Sequence, residues 1–575
     1  MLSRLFLLPK SLIFCLLFQN LGSALADTPP YFNDQKFENG EYGAYPMQKF
    51  RSSNVVAPHV NILSTHSRCD DGSYTMFNPR GSAVPPEARG PIILDSRGNM
   101  IWTITGYGQT YNLMAQMYRG QQYLTFWSGD DAIEGHGSGQ YIMMDSSYKE
   151  VARFRAANGL AADLHEFRFT DAGTALITVY DVQPANLTPR GGSPDGYIWD
   201  SIFQEIDIET GKLLFQWRAS EHFDLAESYH ALGNRGSKGN PWDFFYINSV
   251  EKDPWGNYLI SSRYTHTVSY IDGRSGDVIW VLGGRRNMFT DLSDGRATDF
   301  AFQHDARWHD NYSAISIFNN GAEASGRQET AHFSRAMKIC VDTNYMTAKL
   351  DTQYINSQQI SSSSQGSMQI LPNGDVMVGY GYNAAFTEFA PNGVVLCETH
   401  FGAASRFHTG DVQSYRVMKF NWTGTPSTDP DIAVVNRSAY ISWNGATEVH
   451  QWVLETGDER SAAGYQAEIR WQVVMKAKKT RFETKIELPL DLGPYIRIVA
   501  LDTEGRSIGA TKAARVEQLN MASSYKLGPA DTQALPFLVF CVSLISFGLI
   551  YSWVVKVTRR SWKEQGYSKL TLDDV

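Results

Sequence analysis

The chain has 575 residues, a net charge of −9, and 43% hydrophobic against 19% charged residues. A single core stops growing at about 250–300 residues, so more than one folded unit is expected. The balance is that of a globular chain, and the scattered charges exclude the clustered Lys and Arg of a nucleic-acid surface.

In chain order, residues 1–26 read as a signal peptide. Arg4 and Lys10 supply positive charge, Ser11 to Phe18 a short apolar run, and Ala24-Leu25-Ala26 a small-residue cleavage site. Near the other end, Ala534 to Val555 carries no charge over 22 residues. That length spans a bilayer core of about 30 Å, and the apolar run of the signal segment does not. Lys556, Arg559, Arg560 and Lys563 follow at once, which keeps the tail cytoplasmic and the bulk of the chain lumenal or extracellular. The expectation is a single-pass type I membrane protein of the secretory pathway or cell surface. Four N-x-S/T sequons, at Asn186, Asn311, Asn421 and Asn436, agree with that side. Outside the two apolar segments stand Cys69, Cys340 and Cys397, enough for one disulfide of unassigned pairing and one free thiol.

Between these ends the sequence reads as all-β, rich in Val, Ile, Tyr, Phe, Thr and Trp and cut by Gly, Asn and Asp. A turn recurs before short apolar strands: Asp207 to Gly211, Asp272 to Gly276, Asp95 to Gly98, and looser copies at Asp145 to Tyr148 and Ala390 to Gly393. Asp accepts backbone N–H groups and Gly takes the positive φ. Upstream of each turn lies a strand–turn–strand piece, starting at His165, Tyr246, His304 and Ser367 in four units. Degenerate units near 73–103 and 121–155 bring the total to six. Six such units suggest a β-propeller over residues 27–425 rather than a sandwich or β-helix. Residues 426–520 read as an immunoglobulin/fibronectin-like β-sandwich. Residues 521–533 then form a linker, 534–555 the transmembrane helix and 556–575 the tail.

In a propeller, the starts of the inner strands converge at one channel mouth. That places His165, Tyr246, His304 and Ser367 together, with Asn248 on the face of Tyr246 and Arg263 one strand later. A neutral imidazole is a nucleophile, Arg and Asn hold the oxygens of a sulfuryl or phosphoryl group, and a second His or Tyr protonates a leaving phenolate. No metal and no cofactor is required. His266 and His309 read as structural. His136, in the Gly-rich EGHGSGQ, lacks the strand–loop–helix context of a phosphate loop and is set aside. Ser361 to Ser364 reads as a loop into the last unit, bordering the channel.

The segments ADLHEF, WDFFYINSVEKDPWGNYLISSRYTH, GDVIWVLGG, FAFQHDARW, SIFNNG and GSMQILPNGDVMVGYG, within roughly residues 50–425, resemble the arylsulfotransferase family in its fungal-type, membrane-anchored branch. The resemblance implies a six-bladed propeller and sulfuryl transfer from an aryl sulfate ester to a phenol, without a nucleotide sulfate donor. It implies His304 as the nucleophile that carries a transient sulfohistidine, His165 as a second active-site histidine, and Asn248 with Arg263 as the oxygen-binding pair. It also implies a third histidine where this chain has Tyr246, which cannot be cationic at neutral pH. That departure favours an alternative: a non-catalytic extracellular propeller acting as a receptor or scaffold. A quinoprotein-type oxidoreductase would need a metal carboxylate cluster and a stacking Trp pattern, which the sequence lacks.

Overall fold

In a computed structural model, the structure describes residues 27–133, 135–321, 333–460 and 468–516. The signal-peptide and transmembrane segments, the linker and the tail lie outside the described residues. Among the described residues, no helix is long and apolar enough to cross a membrane.

Six antiparallel sheets follow one another along the chain. The second is Gln109–Tyr118, Gln121–Ile133, His136–Met144 and Glu150–Phe154, each strand paired with the next in sequence. The third, fourth, fifth and sixth repeat the plan from inner strands Phe167–Phe169, Ile247–Lys252, His304–His309 and Ser367–Ile370. The first sheet is completed from the far end of the chain. Val417–Phe420 pairs with Tyr74–Phe77, which leads into Ile92–Leu94 and Met100–Thr103.

Each sheet buries both faces against its neighbours, as the near-continuous burial of Val376–Gly379 and Tyr258–Ser262 shows. One hydrophobic cluster fills every interface: Trp102 with Phe126, Trp127 with Phe167, Trp217 with Phe245, Trp280 with Trp308, and Phe318 with Tyr380. The sixth joins Phe77 of the first sheet to Met377 and Phe401 of the last, so the ring of interfaces closes. The fold is all-β and propeller-like.

The recurring turns all connect the third and fourth strands of their sheets. In Asp207 to Gly211 the Asp207 carboxylate accepts the Thr210 N–H at 2.8 Å, and Gly211 sits at φ 66°. A sixth copy, Asp342 to Met346, was not picked out in the sequence; Met346 takes the positive φ, at 52°, as Tyr148 does in the second sheet. Two unit boundaries need correction. The second sheet begins at Gln109, before residue 121, and the unit near 73–103 supplies only three of its four strands.

Beyond the ring, Asp431–Val435, Ser438–Ser442 and Glu483–Glu487 form one sheet, and Gln451–Arg460, Glu468–Lys478, Tyr495–Leu501 and Ser507–Ala510 another. They bury a common core of Ile441, Trp452, Ile486 and Ile498. This unit is tied to the ring: Asn444 exchanges two hydrogen bonds with the Thr103 backbone, at 3.1 and 2.8 Å. Cys69 and Cys397 form the disulfide, and Cys340 is free and exposed.

Candidate active site

The inner strands are not regular where they reach the channel. His304 pairs with Phe318 and Arg307 with Ser316, so the residues after His304 bulge, and Asp305 adopts φ 60°. A second slip falls between Ile247 and Ser249, and a third between Tyr111 and Met114, with Asn112 at φ 57°. Bulges bend a strand and re-aim its side chains. Asn and Asp tolerate the left-handed region that such kinks use.

His304 is buried, with Nδ1 2.7 Å from Asn320 Oδ1. The Asn320 amide nitrogen donates to the Ser362 and Gln365 carbonyls, both at 2.9 Å. Carbonyls only accept, so the amide cannot turn over, and its oxygen faces the ring. His304 therefore carries its proton on Nδ1 and keeps a lone pair on Nε2. That lone pair accepts the Gln365 N–H at 3.2 Å. Burial first, then the positive charge of Arg263, pushes the imidazole well below its ordinary 6.5, so the ring is neutral.

Arg263 is 4% exposed. Its guanidinium donates to the Phe302 carbonyl at 3.1 Å and the Ser363 carbonyl at 3.0 Å, and lies 4.8 Å from the Phe302 ring centroid. Among the described residues no carboxylate lies within ion-pair distance of it. A buried cation without a counter-ion is costly, and a bound anion would offset that cost.

His165 lies two residues before its strand, and its Nδ1 is 2.7 Å from Asp163 Oδ2. Burial works to raise the Asp163 carboxyl, but the charge and hydrogen bond of His165, with His136 behind it, hold it below its ordinary value. His165 Nε2 is 3.2 Å from the Tyr246 hydroxyl, which also donates to the Gly135 carbonyl at 2.9 Å. Tyr246 has one proton for two acceptors. An imidazolium at His165 completes the chain from Asp163 to Gly135, whereas a neutral ring leaves one acceptor unfilled. Burial holds the Tyr246 hydroxyl well above its ordinary value, so it stays a neutral phenol.

Tyr415 ties the centre together. Its ring lies 5.4 Å from His165 and 6.3 Å from His304. A cavity of about 230 Å3 is lined by His165, Tyr246, Tyr415, Gln365, Tyr111 and Arg80. His304 lies outside that lining, against Gln365 and Tyr415, which belong to it. Glu166 pairs with Arg307 at 2.5 Å and Arg416 at 2.9 Å. Burial alone would raise the Glu166 carboxyl, but the two arginines hold it at about 2. A larger cavity, about 950 Å3, lies between the ring and the C-terminal unit and contains none of these residues.

The structure thus groups His304, His165, Arg263 and Tyr246. Asn248 is adjacent, but its amide nitrogen is spent on the Gln303 carbonyl at 2.8 Å, and its Oδ1 is buried without a partner. Ser367 does not join the site, because its hydroxyl bridges to Val417. Gln365, two residues earlier, takes its place. His266 stacks on Tyr229 and packs edge-on against Phe302 beside Arg263, and His309 bonds Ser316; neither ring bonds a residue of the site. Sequence reasoning missed Asn320, although it stands two residues past Phe318, the cross-strand partner of His304. It also set aside His136, which is buried, 2.7 Å from Asp243 Oδ2 and stacked on Tyr180 at 3.7 Å. Asp243 in turn accepts the Tyr246 N–H at 2.9 Å, so this pair holds the turn that presents Tyr246. Among the described residues no three His, Cys, Asp or Glu side chains are grouped to hold a metal ion.

Fold and site together define a propeller-like protein with a neutral, tautomer-locked histidine within the field of an unpaired buried arginine, against the lining of an aromatic cavity. The chain belongs to the arylsulfotransferase (ASST) family, whose model matches residues 114–402. No curated protein matches the chain. Among solved structures, a protein of unknown function from Bacteroides caccae is 11% identical, with a TM-score of 0.35, covering 61% of this chain and 99% of its own. Hydrazine synthase from Kuenenia stuttgartiensis is 10% identical at TM-score 0.31, covering 58% of this chain and 76% of its own. The β-propeller domain of Myceliophteria thermophila Cps50 (Swd1) is 10% identical at TM-score 0.31, covering 67% and 96%.

Proposed function

We propose that the protein transfers a sulfuryl group from an aryl sulfate ester to a phenolic acceptor through a sulfohistidine at His304, with no nucleotide sulfate donor. The observation that carries this reading is the Asn320 lock, which leaves the lone pair on His304 Nε2, within the field of Arg263. In the first step Nε2 attacks sulfur. An N–S bond forms, the S–O bond to the ring breaks, and the electron pair leaves on the phenolate. Arg263 stabilises the sulfuryl oxygens. The Gln365 N–H gives up Nε2 and turns to one of those oxygens. Tyr246 hands its proton to the phenolate and takes one from His165, whose charge Asp163 supports. In the second step the acceptor phenol returns a proton through Tyr246 to His165 and its oxygen attacks sulfur, releasing His304.

The site belongs, in this reading, to a six-bladed propeller over residues 27–425, followed by an immunoglobulin/fibronectin-like sandwich over 426–520. A signal peptide and one membrane helix place both on the lumenal or outer side. Two observations support that placement. All four sequon asparagines are exposed, and the Cys69–Cys397 disulfide suits an oxidising compartment.

A non-catalytic channel that binds a phenolic ligand is the second reading, favoured by the position of His304 outside the cavity lining. Turnover separates the two. Full-length protein in detergent is incubated with nitrophenyl sulfate and excess phenol, and sulfated phenol is sought by mass spectrometry. Product that disappears in His304→Asn supports transfer. Its absence from folded protein across roughly pH 5–9 supports the binding channel, since burial and Arg263 hold the His304 imidazole well below its ordinary value and keep the nucleophile unprotonated at neutral pH.

A further inference from the structure

The cavity is lined by one arginine, Arg80, whereas Arg263, whose charge acts on His304, lies outside its lining. Arg80 stacks on Tyr111 with its guanidinium carbon 4.4 Å from the ring centroid. Its backbone is pinned by an exchange of two 2.9 Å hydrogen bonds with Gln413. Its Nη2 donates to Gln365 Oε1 at 2.6 Å and Gln413 Oε1 at 2.8 Å. A guanidinium has five N–H groups. Nη1 makes no hydrogen bond among the described residues. Its nearest carboxylate, Asp131, is 3.9 Å away and already accepts the Tyr111 hydroxyl at 2.8 Å. The side chain remains 13% exposed, so a fixed cation, with Asp131 as its one distant counter-ion, borders the cavity that also holds His165 and Tyr246.

We propose that Arg80 is an anion subsite that selects phenols bearing a second anionic group, such as a carboxylate, away from the reacting oxygen. The proposal rests on the sulfuryl-transfer reading for what happens to the bound phenol, but not for the binding itself. Tyr111, Tyr246 and Tyr415 supply flat faces for the ring, and about 230 Å3 has room for a substituted benzene ring. The phenolic oxygen points toward Tyr246 and His165, and the carboxylate meets Arg80 Nη1. With Nη2 filled by the two glutamines, Nη1 meets the carboxylate through a charge-assisted hydrogen bond.

The test needs no turnover. Binding of 4-hydroxybenzoate and of its neutral analogue 4-hydroxybenzyl alcohol to the full-length protein is measured by calorimetry. The carboxylate is expected to bind at least about tenfold more tightly, with a preference that weakens as salt rises. Arg80→Gln should bring the two within about twofold, and Arg80→Lys, which keeps the charge, should retain part of the preference. Equal affinities in the unaltered protein overturn the subsite, whatever the variants do. The same two phenols are then offered as acceptors from nitrophenyl sulfate. Carboxylate preference in binding with no transfer would sink the enzymatic reading and leave the subsite standing. Transfer to both without preference would do the reverse.

Discussion

At the residue scale the account turns on one proton. Asn320 fixes it on His304 Nδ1, because the Asn320 amide is held by two carbonyls and has no freedom to flip. Asn320→Ala should leave the fold intact and lower kcat roughly 10–100-fold with little change in KM, since it removes an orienting group and no substrate contact. Steady-state kinetics with nitrophenyl sulfate checks this. His266 offers a separate test of how burial sets charge. Desolvation, then Arg263 and Arg285, lowers its imidazole to about 3, whereas in the unfolded chain it titrates near 6.5. Below pH 6.5 the unfolded state therefore binds one more proton, and stability falls as pH drops toward about 3. Its Nε2 is buried without a partner, so His266→Phe removes this loss while keeping the stack on Tyr229. Between pH 7 and 5 the unaltered protein should lose about 2 kcal/mol more than the variant in urea unfolding.

At the element scale much was legible. Asp or Gly at fixed spacing announced five of the six turns between third and fourth strands, because both residue types suit so tight a connection. Gly211 shows the rule at its simplest. It sits at φ 66° with nothing within 4 Å of an added Cβ, so Gly211→Ala tests the backbone alone. The expected cost is about 1 kcal/mol, read from the shift in the unfolding midpoint. The bulges were not legible. Asn248 shares its strand with Tyr246 on a regular pleat, but the slip between Ile247 and Ser249 breaks that alternation. The Asn248 amide turns to Gln303 instead of the channel. Ser367 fell out for a related reason: strand starts align in sequence, yet a hydroxyl there is captured by Val417 of the next sheet. His136 was hidden because its partner, Asp243, lies on a different sheet, 107 residues away.

At the scale of the whole molecule, six sheets and their closure could be anticipated from repeats, but the closing devices could not. Val417–Phe420 returns to pair with Tyr74–Phe77, and Cys69 joins Cys397 across 328 residues of chain. Spacing alone offered three pairings of cysteines. A disulfide closing so long a loop constrains the unfolded chain strongly, and Cys397→Ser should cost about 2–4 kcal/mol in denaturant unfolding. The Glu166 network with Arg307 and Arg416 joins residues in or beside the inner strands of three sheets. The two arginines keep the Glu166 carboxylate charged although it is buried.

The central claim is that His304 carries the sulfuryl group. The most direct measurement is mass spectrometry of the peptide containing His304 after the full-length protein meets nitrophenyl sulfate without acceptor, quenched in alkali to protect an N–S bond. The account predicts one added sulfuryl group on His304, discharged when phenol is supplied and absent from Asn320→Ala at short times. Turnover with the label on another residue, or with no label at all, would contradict it.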